Sequence, residues 1–538
     1  MSRRPPAGGL QAAHRARPRV RSTWLALLLC ACMGGAQAQR ADAPPWPDSF
    51  TLARVQFDGG PHPALGDAEL QALAAPFLNR PLRALDVEEL RQRITRRCVE
   101  RGYISSGALV ADDALQGDTL RVQLLVGRVG TVRQRGLDGL APAYVEQRLL
   151  RSGDVLDVHR LQDRFQWLLA DPLFRRINVS VVPGAVLGQA TLDIDAERAA
   201  AWSATVFAHN QGAPAVGSAV AGVEFGLRNL SSWGDTLAAT LSRSGGSDSG
   251  ELSWAVPLAA HRTTLTLHAS HGRASVTEEP LDALGVDSVV RGRDITLAHP
   301  VVDGARQRLV LGATWGRRDN RTTLGGEPFS LVPGEPTGQP AVRAWRWFQE
   351  LTLRGERHAL TLRSTFASGR SNVPADAGVP GAPAARYRLW QGQLLGSAAL
   401  GDGGARLQLR AVVQHTGDTL VPLEQLSVGG RHTVRGYREN TLVRDRGWAF
   451  GLEGWWPLLG ADGARRSVAL VPFADLGRAA NVGGPAARLA AVGLGLQARI
   501  DDIEAEIHFA RRLERRPVDT RGDLQDHGIH LSLRWRAL

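Results

Sequence analysis

At 538 residues the chain is long enough for two or three domains, and 43% of its residues are hydrophobic. Its formal net charge is +11, and because the sequence contains no lysine, all 64 basic residues are arginine. Beyond the N-terminus no apolar run is long enough for a membrane-spanning helix, and the absence of lysine excludes a nucleotide-binding phosphate loop.

The first 38 residues are typical of a secretory signal peptide. Six arginines precede an apolar core from Trp24 to about Ala31, and the small-residue sequence Ala36-Gln37-Ala38 follows as a cleavage site. The core is too short to span a membrane as an anchor. Removal of this segment would lower the net charge from +11 to +5, which argues against nucleic-acid binding.

A small α+β module is predicted at 49–127, after a short Pro-rich lead at 39–48. Its elements follow the order strand, helix, helix, strand, strand. Asp67 and Asp86 are of a residue type that favours helix N-caps, so we expect each to begin one of the helices. Cys98, the one cysteine outside the leader, is expected in the second helix as a small core residue without a disulfide partner. The strands are expected at 50–57, 103–110 and 119–126.

The same order of elements repeats at 128–198. One helix is expected from Pro142 to Leu150, and Asp157 is expected to begin a second. The strands are expected at 129–135, 176–182 and 190–196. Two consecutive units of about 75 residues with one element order indicate a duplicated module.

From Trp202 to Trp535 the sequence predicts about sixteen short strands in an unbroken series. In the segment 502–509, for example, apolar residues alternate with charged residues and a histidine. A soluble sandwich also alternates, but a repeatedly charged face opposite an apolar one suits a barrel with lipid outside and water inside, whose strands need about 9–11 residues. The centres are expected near 206, 223, 240, 254, 266, 293, 311, 348, 362, 393, 409, 451, 470, 492, 507 and 532.

The connections between these strands fall into two classes. Those after even-numbered strands are mostly short, as at 355–357 and 401–403, and those after odd-numbered strands include the long ones. This asymmetry is typical of outer-membrane barrels. The expected fold is therefore a transmembrane β-barrel of about 16 antiparallel strands at 201–538, preceded by two small βααββ domains. The long connections are expected at 271–287, 318–341, 369–386, 416–445 and 512–526.

Two motifs stand late in the chain at a meaningful spacing. Val434-Arg435-Gly436-Tyr437 lies in the connection after strand eleven, at 416–445, which is loop six when the connections after odd-numbered strands are counted. Phe473-Ala474-Asp475-Leu476-Gly477 ends the thirteenth strand. Both resemble motifs of the two-partner secretion transporters (TpsB) of the haemolysin secretion/activation type, in the POTRA-barrel outer-membrane superfamily. Segments around Asn210, Asn229 and Trp233 are similar to the first barrel strands of that family.

The resemblance implies a location and a task. The two modules would be POTRA domains in the periplasm of a Gram-negative bacterium, and the barrel would lie in the lipid of the outer membrane. The family transports an unfolded secreted partner protein, a large exoprotein of the adhesin or cytolysin type with an N-terminal secretion domain. The barrel-assembly machinery and periplasmic chaperones would act during biogenesis. We expect no enzymatic activity, no cofactor, no metal site and no nucleic-acid partner.

The same resemblance implies a site in which loop six folds back into the lumen and Arg435 meets Asp475. Alternation independently places Asp475 on the inner face, because a carboxylate facing lipid would be penalised. Without the resemblance, Arg435 could equally be a solvated loop residue. The candidate site consists of Val434, Arg435, Gly436 and Tyr437 on the loop and Phe473, Asp475 and Gly477 on the wall.

Other interpretations remain open from the sequence. An insertase that assembles other barrels belongs to the same superfamily, although such proteins usually carry more POTRA modules, and a passive porin would have no need of modules. The open edges of the module sheets could bind an unfolded partner as an added strand. The tryptophan pairs Trp345/Trp347 and Trp455/Trp456 are interpreted as interface aromatics on the lipid face.

Overall fold

The computed structural model describes residues 46–258, 262–304, 306–374, 379–460, 464–514 and 522–537. The predicted leader at 1–38 and most of the Pro-rich lead lie outside these ranges. The chain forms two compact units, one up to Thr95 with Ala108–Leu124, the other Arg96–Gly107 with Leu125–Leu538. Within the described ranges no helix is both long and apolar enough to cross a membrane.

The first module contains helices α1 (Asp67–Ala74) and α2 (Ala84–Glu100). Cys98 is buried in α2, as predicted. The two predicted caps are wrong. Gly66 is the N-cap of α1, and Asp67 is its first helical residue. Asp86 lies inside the first turn of α2, where its carboxylate accepts the backbone N–H of Arg83 at 2.7 Å, so it satisfies a terminal donor without standing at the end.

The sheet of this module is built on a parallel pair. Arg54–Asp58 runs parallel to Thr119–Leu125, which also pairs with Gly107–Leu109 and, antiparallel, with Leu115–Gln116. A separate two-stranded pair joins Phe50–Thr51 to Pro81–Leu82, and a 3-10 turn at Ala75–Phe77 follows α1.

The second module places Gln189–Arg198 between a parallel neighbour, Arg128–Arg135, and an antiparallel one, Phe174–Pro183. Its helices are α3 (Pro142–Glu146), shorter than predicted, and α4 (Val158–Leu169). Asp157 caps α4, as predicted, because its carboxylate accepts the backbone N–H groups of His159 and Arg160. The core is formed by buried leucines and isoleucines, among them Leu149, Leu161, Leu168, Ile177 and Leu192.

Within the described ranges, sixteen antiparallel strands close into a barrel, which confirms the predicted fold class. Every predicted centre lies inside a barrel strand. Strand 1 closes the barrel on strand 16, with the register running from Thr205 opposite Arg536 to His209 opposite Ser532. Barrel strands 1 to 16 are Trp202–His209, Val220–Arg228, Thr236–Arg243, Ser247–Leu258, Thr263–Ser275, Val286–Asp303, Gln307–Leu324, Ala341–Arg354, His358–Ser371, Arg386–Leu400, Ala405–His415, Arg446–Leu459, Arg466–Ala480, Ala487–Ile500, Ile503–Arg512 and Ile529–Arg536.

The expected strand length of 9–11 residues is wrong for several strands. Strands 6 and 7 each have 18 residues and extend into segments predicted as loops. The end of strand 7, Arg317-Arg318-Asp319-Asn320-Arg321, is polar on both faces and lacks alternation, yet its pairing with strand 6 continues to Leu324. Ladder hydrogen bonds do not require an apolar face. A strand predicted from its residue pattern therefore ends earlier than the backbone pairing does.

The tryptophan prediction holds for three of the four residues. Trp345, Trp347 and Trp456 are 49%, 47% and 42% exposed on the outer face. Trp455 is wrong: it is 5% exposed, and its indole N–H donates to Gln497 Oε1 at 3.0 Å. A buried indole needs a hydrogen-bond partner, which the inner wall supplies.

The turn at 229–235, between strands 2 and 3, contacts the second module. The Ser232 carbonyl accepts the Ala141 N–H at 2.8 Å, and Asn229 Nδ2 donates to the Gly139 carbonyl at 2.8 Å. A Cβ at Gly234 would lie 2.2 Å from Tyr144 Cε2, so this close approach requires glycine. The module therefore attaches at the end of the barrel that carries the short turns.

The alternation of short turns and long loops makes a topological prediction. Gly326, between strands 7 and 8, and Gly403, between strands 10 and 11, are both exposed and lie at opposite ends of the barrel. An epitope tag after Gly326 should react with antibody on intact cells, and a tag after Gly403 should react only after permeabilisation. Reaction of both tags on intact cells would contradict the strand count.

Candidate functional site

Loop six connects strands 11 and 12 across 416–445 and is anchored at its base by a buried carboxylate. Asp445, fully buried, accepts the backbone N–H groups of Leu420 and Val482 and the Nε2 group of Gln425, each at 2.9 Å. Above this base, Leu426–Val428 and Leu442–Arg444 form a small antiparallel hairpin that carries the tip. The hydrogen bonds at the base therefore fix the direction in which the hairpin and the tip of loop six extend.

The tip reverses direction at residues with left-handed backbone. Gly430 has φ 99°, and its N–H donates to the Val434 carbonyl at 3.0 Å. Gly436 has φ 88°, its N–H donates to His530 Nε2 at 3.0 Å, and its carbonyl accepts from Arg512 Nε. Since this backbone region strongly favours glycine, Gly436 permits the turn that presents Arg435 to the wall.

Arg435 and Asp475 form a fully buried ion pair with three hydrogen bonds. Arg435 Nε donates to Asp475 Oδ2 at 2.7 Å, and Arg435 Nη2 donates to Asp475 Oδ1 at 2.9 Å. The backbone N–H of Arg435 also donates to Oδ2, at 3.1 Å. Both side chains are 0% exposed. The paired donors of a guanidinium match the two oxygens of a carboxylate, so the contact fixes orientation as well as charge.

Two further charges complete the cluster. Arg435 Nη1 donates to Glu453 Oε2 at 2.8 Å, and Arg410 Nη2 donates to Asp475 Oδ1 at 3.0 Å. Two arginines therefore face two carboxylates. The inward placement of Arg410 and Glu453 follows from alternation, but their partnership with Arg435 does not, because it depends on the register of strands 11, 12 and 13.

The aromatic residue of the wall motif supports the arginine. The Arg435 guanidinium carbon lies 3.5 Å from the centroid of the Phe473 ring, a cation–π contact. The ring in turn occupies space over Gly493, where a Cβ would lie 2.3 Å from Phe473 Cζ. The Phe473 ring thus packs against one face of the Arg435 guanidinium group.

Gly477 provides room for the loop. A Cβ at this position would lie 2.6 Å from Val428 Cγ1 and 2.8 Å from Val434 Cγ2. Val434 is fully buried in an apolar cluster with Val428 and Tyr437. The Tyr437 hydroxyl lies within hydrogen-bond distance of the carbonyl oxygens of Ala490 (3.0 Å) and Glu514 (2.8 Å). The structure therefore brings all seven sequence-predicted residues to one place on the inner wall.

The tip of loop six also contacts residues near the C-terminal end of the chain. The sequence did not predict these contacts. Arg438 Nε and Nη2 donate to the two carboxylate oxygens of Asp526 at 2.6 and 2.7 Å. Gln525 Oε1 accepts the Glu439 N–H, and Gln525 Nε2 donates to the Asn210 carbonyl at 2.7 Å. Asn210, directly after strand 1, donates to the Ile529 carbonyl and accepts the Leu531 N–H of strand 16. Loop six is thus connected to the seam that closes the barrel.

Among the described residues, no group of three or more His, Cys, Asp or Glu side chains could hold a metal ion.

Comparison with known proteins matches the chain to one protein family and one domain family. Residues 188–499 match the family described as haemolysin secretion/activation protein ShlB/FhaC/HecB, and residues 50–127 match the ShlB-type POTRA domain. The outer membrane transporter CdiB of Dickeya dadantii (strain 3937) is 23% identical over 186 residues, 34% of this chain and 32% of that protein. The CdiB of Escherichia coli O6:K15:H31 (strain 536 / UPEC) is 30% identical over 89 residues, 16% and 15% of the two chains. The matches thus span about a third of these relatives or less.

Solved structures share the fold over most of the chain. CdiB from Escherichia coli superposes with a TM-score of 0.70 and 18% identity, covering 93% of both chains. BamA from Haemophilus ducreyi lacking POTRA domains 1–3 superposes with a TM-score of 0.54 and 14% identity, covering 90% of this chain and 100% of that one. At these identities the likeness shows the fold alone.

Gly477→Ala should loosen the tip of loop six. The added methyl meets two valine side chains inside normal contact distance, and overpacking of this kind costs about 1–3 kcal/mol. In purified protein, the rate of tryptic cleavage at Arg431 and Arg438 should rise by about tenfold, which corresponds to about 1.4 kcal/mol.

Gly484→Ala, in the next connection of the chain, is the matched control because its nearest neighbouring atom is an ordinary 3.6 Å away. Equal cleavage of wild type and Gly477→Ala would contradict the tight contact between loop and wall.

Proposed function

This chain belongs to the ShlB/FhaC/HecB family of haemolysin secretion/activation proteins, and on that premise we propose that it secretes a partner protein across the outer membrane. In this proposal the modules at 49–127 and 128–198 are periplasmic POTRA domains that receive the unfolded partner. The barrel at 201–538 is the conduit to the cell surface. The partner is a large exoprotein with an N-terminal secretion domain, and neither a nucleotide nor a cofactor takes part.

The observation that carries the proposal is the buried ion pair between Arg435 and Asp475 inside the barrel. A buried ion pair adds little net stability, because desolvation of the charges offsets much of their attraction. Its two-pronged geometry does hold a long loop in one position. We therefore assign loop six the task of occupying the lumen at rest and of moving when the partner passes.

An open sheet edge in the second module supports the receiving role. Among the described residues, Phe174–Pro183 pairs on one side only, with Gln189–Arg198. An extended polypeptide can add to such an edge through backbone hydrogen bonds that do not depend on its sequence. Attachment of this module to the barrel turn at 229–235 would deliver a captured segment to the mouth of the barrel.

Arg435→Ala should reduce secretion of the partner by at least about tenfold while the barrel still assembles, since loss of one member of a buried pair costs about 3–5 kcal/mol. Asp475→Ala should also reduce secretion. Because the two residues act as a pair, the double variant should be little worse than the worse single one. Secreted partner is measured in culture medium by immunoblot.

Arg499→Ala is the matched control, because Arg499 is an inner-wall arginine paired with Glu504 and not with loop six. It should secrete normally. Normal secretion by Arg435→Ala, or fully additive losses in the double variant, would remove the functional role of the pair.

Deletion of 49–198 should leave a barrel that inserts into the membrane but does not secrete, because strand 1 pairs only with barrel strands 2 and 16 in the described structure. Barrel folding is checked by heat-modifiable mobility and secretion by immunoblot. A deleted chain that still secretes would contradict the receiving role. General loss of other outer-membrane proteins on deletion of the whole gene would instead favour an insertase.

A further inference from the structure

Five arginines stand side by side across five neighbouring barrel strands. The register pairs each residue directly with the next, from strand 6 to strand 10. Residues directly opposite on antiparallel strands have Cβ atoms about 4.5–5.5 Å apart, so this is a continuous row of like charges. The row, here called the arginine row, consists of Arg293, Arg317, Arg343, Arg370 and Arg386, all exposed.

The arginine row lies on the outer face of the barrel. On strand 8, Arg343 shares its face with Trp345 and Trp347, which are 49% and 47% exposed, whereas Val342 and Ala344 on the other face are buried. Arg343 is two residues from Trp345, roughly 6–7 Å along the strand, on the side of the long loop at 325–340. Tryptophans of this kind mark the level of lipid headgroups, so the row lies at or just beyond that level.

Among the described residues, few carboxylates lie close to the charges of this row. Within the described part of the chain, the side chains of Arg343, Arg370 and Arg386 make no ion pair or hydrogen bond. Arg317 has a carboxylate at 3.7 Å, Asp319. Like charges placed directly opposite one another destabilise a sheet. An anion from outside the chain would offset this repulsion.

A cleft of about 1150 Å³ follows the row and is shared by its charges and by aromatic rings. Four arginines of the row line it, Arg317, Arg343, Arg370 and Arg386, together with Arg388, Trp315 and Trp345. One carboxylate, Asp418, also lines it and accepts the backbone N–H of Arg388 at 2.7 Å. Guanidinium groups bind phosphate oxygens in pairs, and several adjacent guanidinium groups suit a ligand with more than one phosphate. The exposed Trp345 ring beside them suits acyl chains rather than a free, fully solvated anion.

We propose that the arginine row binds the headgroup of an outer-leaflet lipid that carries two or more phosphates. The proposal rests on the orientation in the proposed function, in which the long loops face the cell surface. Binding would neutralise the row and fix strands 6 to 10 against the membrane, on the side of the barrel away from the seam between strands 1 and 16.

The test is binding of diphosphoryl lipid A to the purified full chain in detergent micelles at fixed salt, measured by native mass spectrometry. The wild type should bind it more tightly than the same lipid without phosphates. The variant Arg343→Gln/Arg370→Gln should bind at least about tenfold more weakly. Arg370→Gln alone, with a smaller loss, is measured beside it, and heat-modifiable mobility verifies that each barrel is folded.

The matched control is Arg243→Gln/Arg466→Gln, which removes the same charge from exposed outer-face positions away from the row. Arg243 is paired with Asp248 at 3.4 Å, and Arg466 lies at the end of the barrel that carries the short turns. Its lipid binding should stay within about twofold of the wild type. The proposal is overturned if the row variant binds like the wild type, or if phosphates on the lipid make no difference.

A free-anion site would also overturn it, and inorganic phosphate that displaces the lipid at equal phosphate concentration would reveal one. Secretion measured for the same variants separates the two proposals. If the arginine-row variant loses lipid binding but still secretes, the lipid proposal and the secretion proposal both stand. If Arg435→Ala keeps both lipid binding and secretion, only the role of loop six is removed.

Discussion

The structure of the barrel interior depends on burying one guanidinium group. Arg435 and Asp475 are both 0% exposed, so each has given up its water, and only close pairing makes that acceptable. The pairing requires that loop six be long, that it turn at Gly436, and that the wall be thin where Val428 and Val434 approach Gly477. The last two requirements are met by glycine at fixed positions in the sequence, and the first by the length of the connection between strands 11 and 12.

The same pairing links loop six to the register of three strands. Arg410, Glu453 and Asp475 come from strands 11, 12 and 13 and meet at one point because those strands pair in a single register. A slip of one residue would turn Asp475 towards lipid and Leu476 towards the lumen, since side chains alternate between faces. The charge cluster therefore selects the correct register of the wall as well as the position of the loop.

Local periodicity explains which parts of this architecture the sequence predicted. Alternation identified all sixteen strands and placed Asp475 on the inner face, because each of these depends on residues near one another in the chain. Family resemblance, not periodicity, joined Arg435 to Asp475. Neither revealed that Glu453 and Arg410 complete the cluster, or that Trp455 turns inward to Gln497, because these depend on which residues stand opposite across strands. The polar end of strand 7 was not predicted as part of the strand for a similar reason, because alternation does not indicate how such polar residues pair.

The two faces of the barrel wall give a physical reason why the chain uses arginine and no lysine. Inside, Arg435 contacts both oxygens of Asp475 through Nε and Nη2, a fork that an ammonium group cannot reproduce. Arg431, Arg438 and Arg499 are likewise each paired with a carboxylate. Outside, Arg343 and Arg370 stand opposite each other as exposed like charges. A planar group that binds two oxygens at once suits carboxylates within the lumen and, in our proposal, phosphates at the outer rim, so one residue type meets two different electrostatic demands.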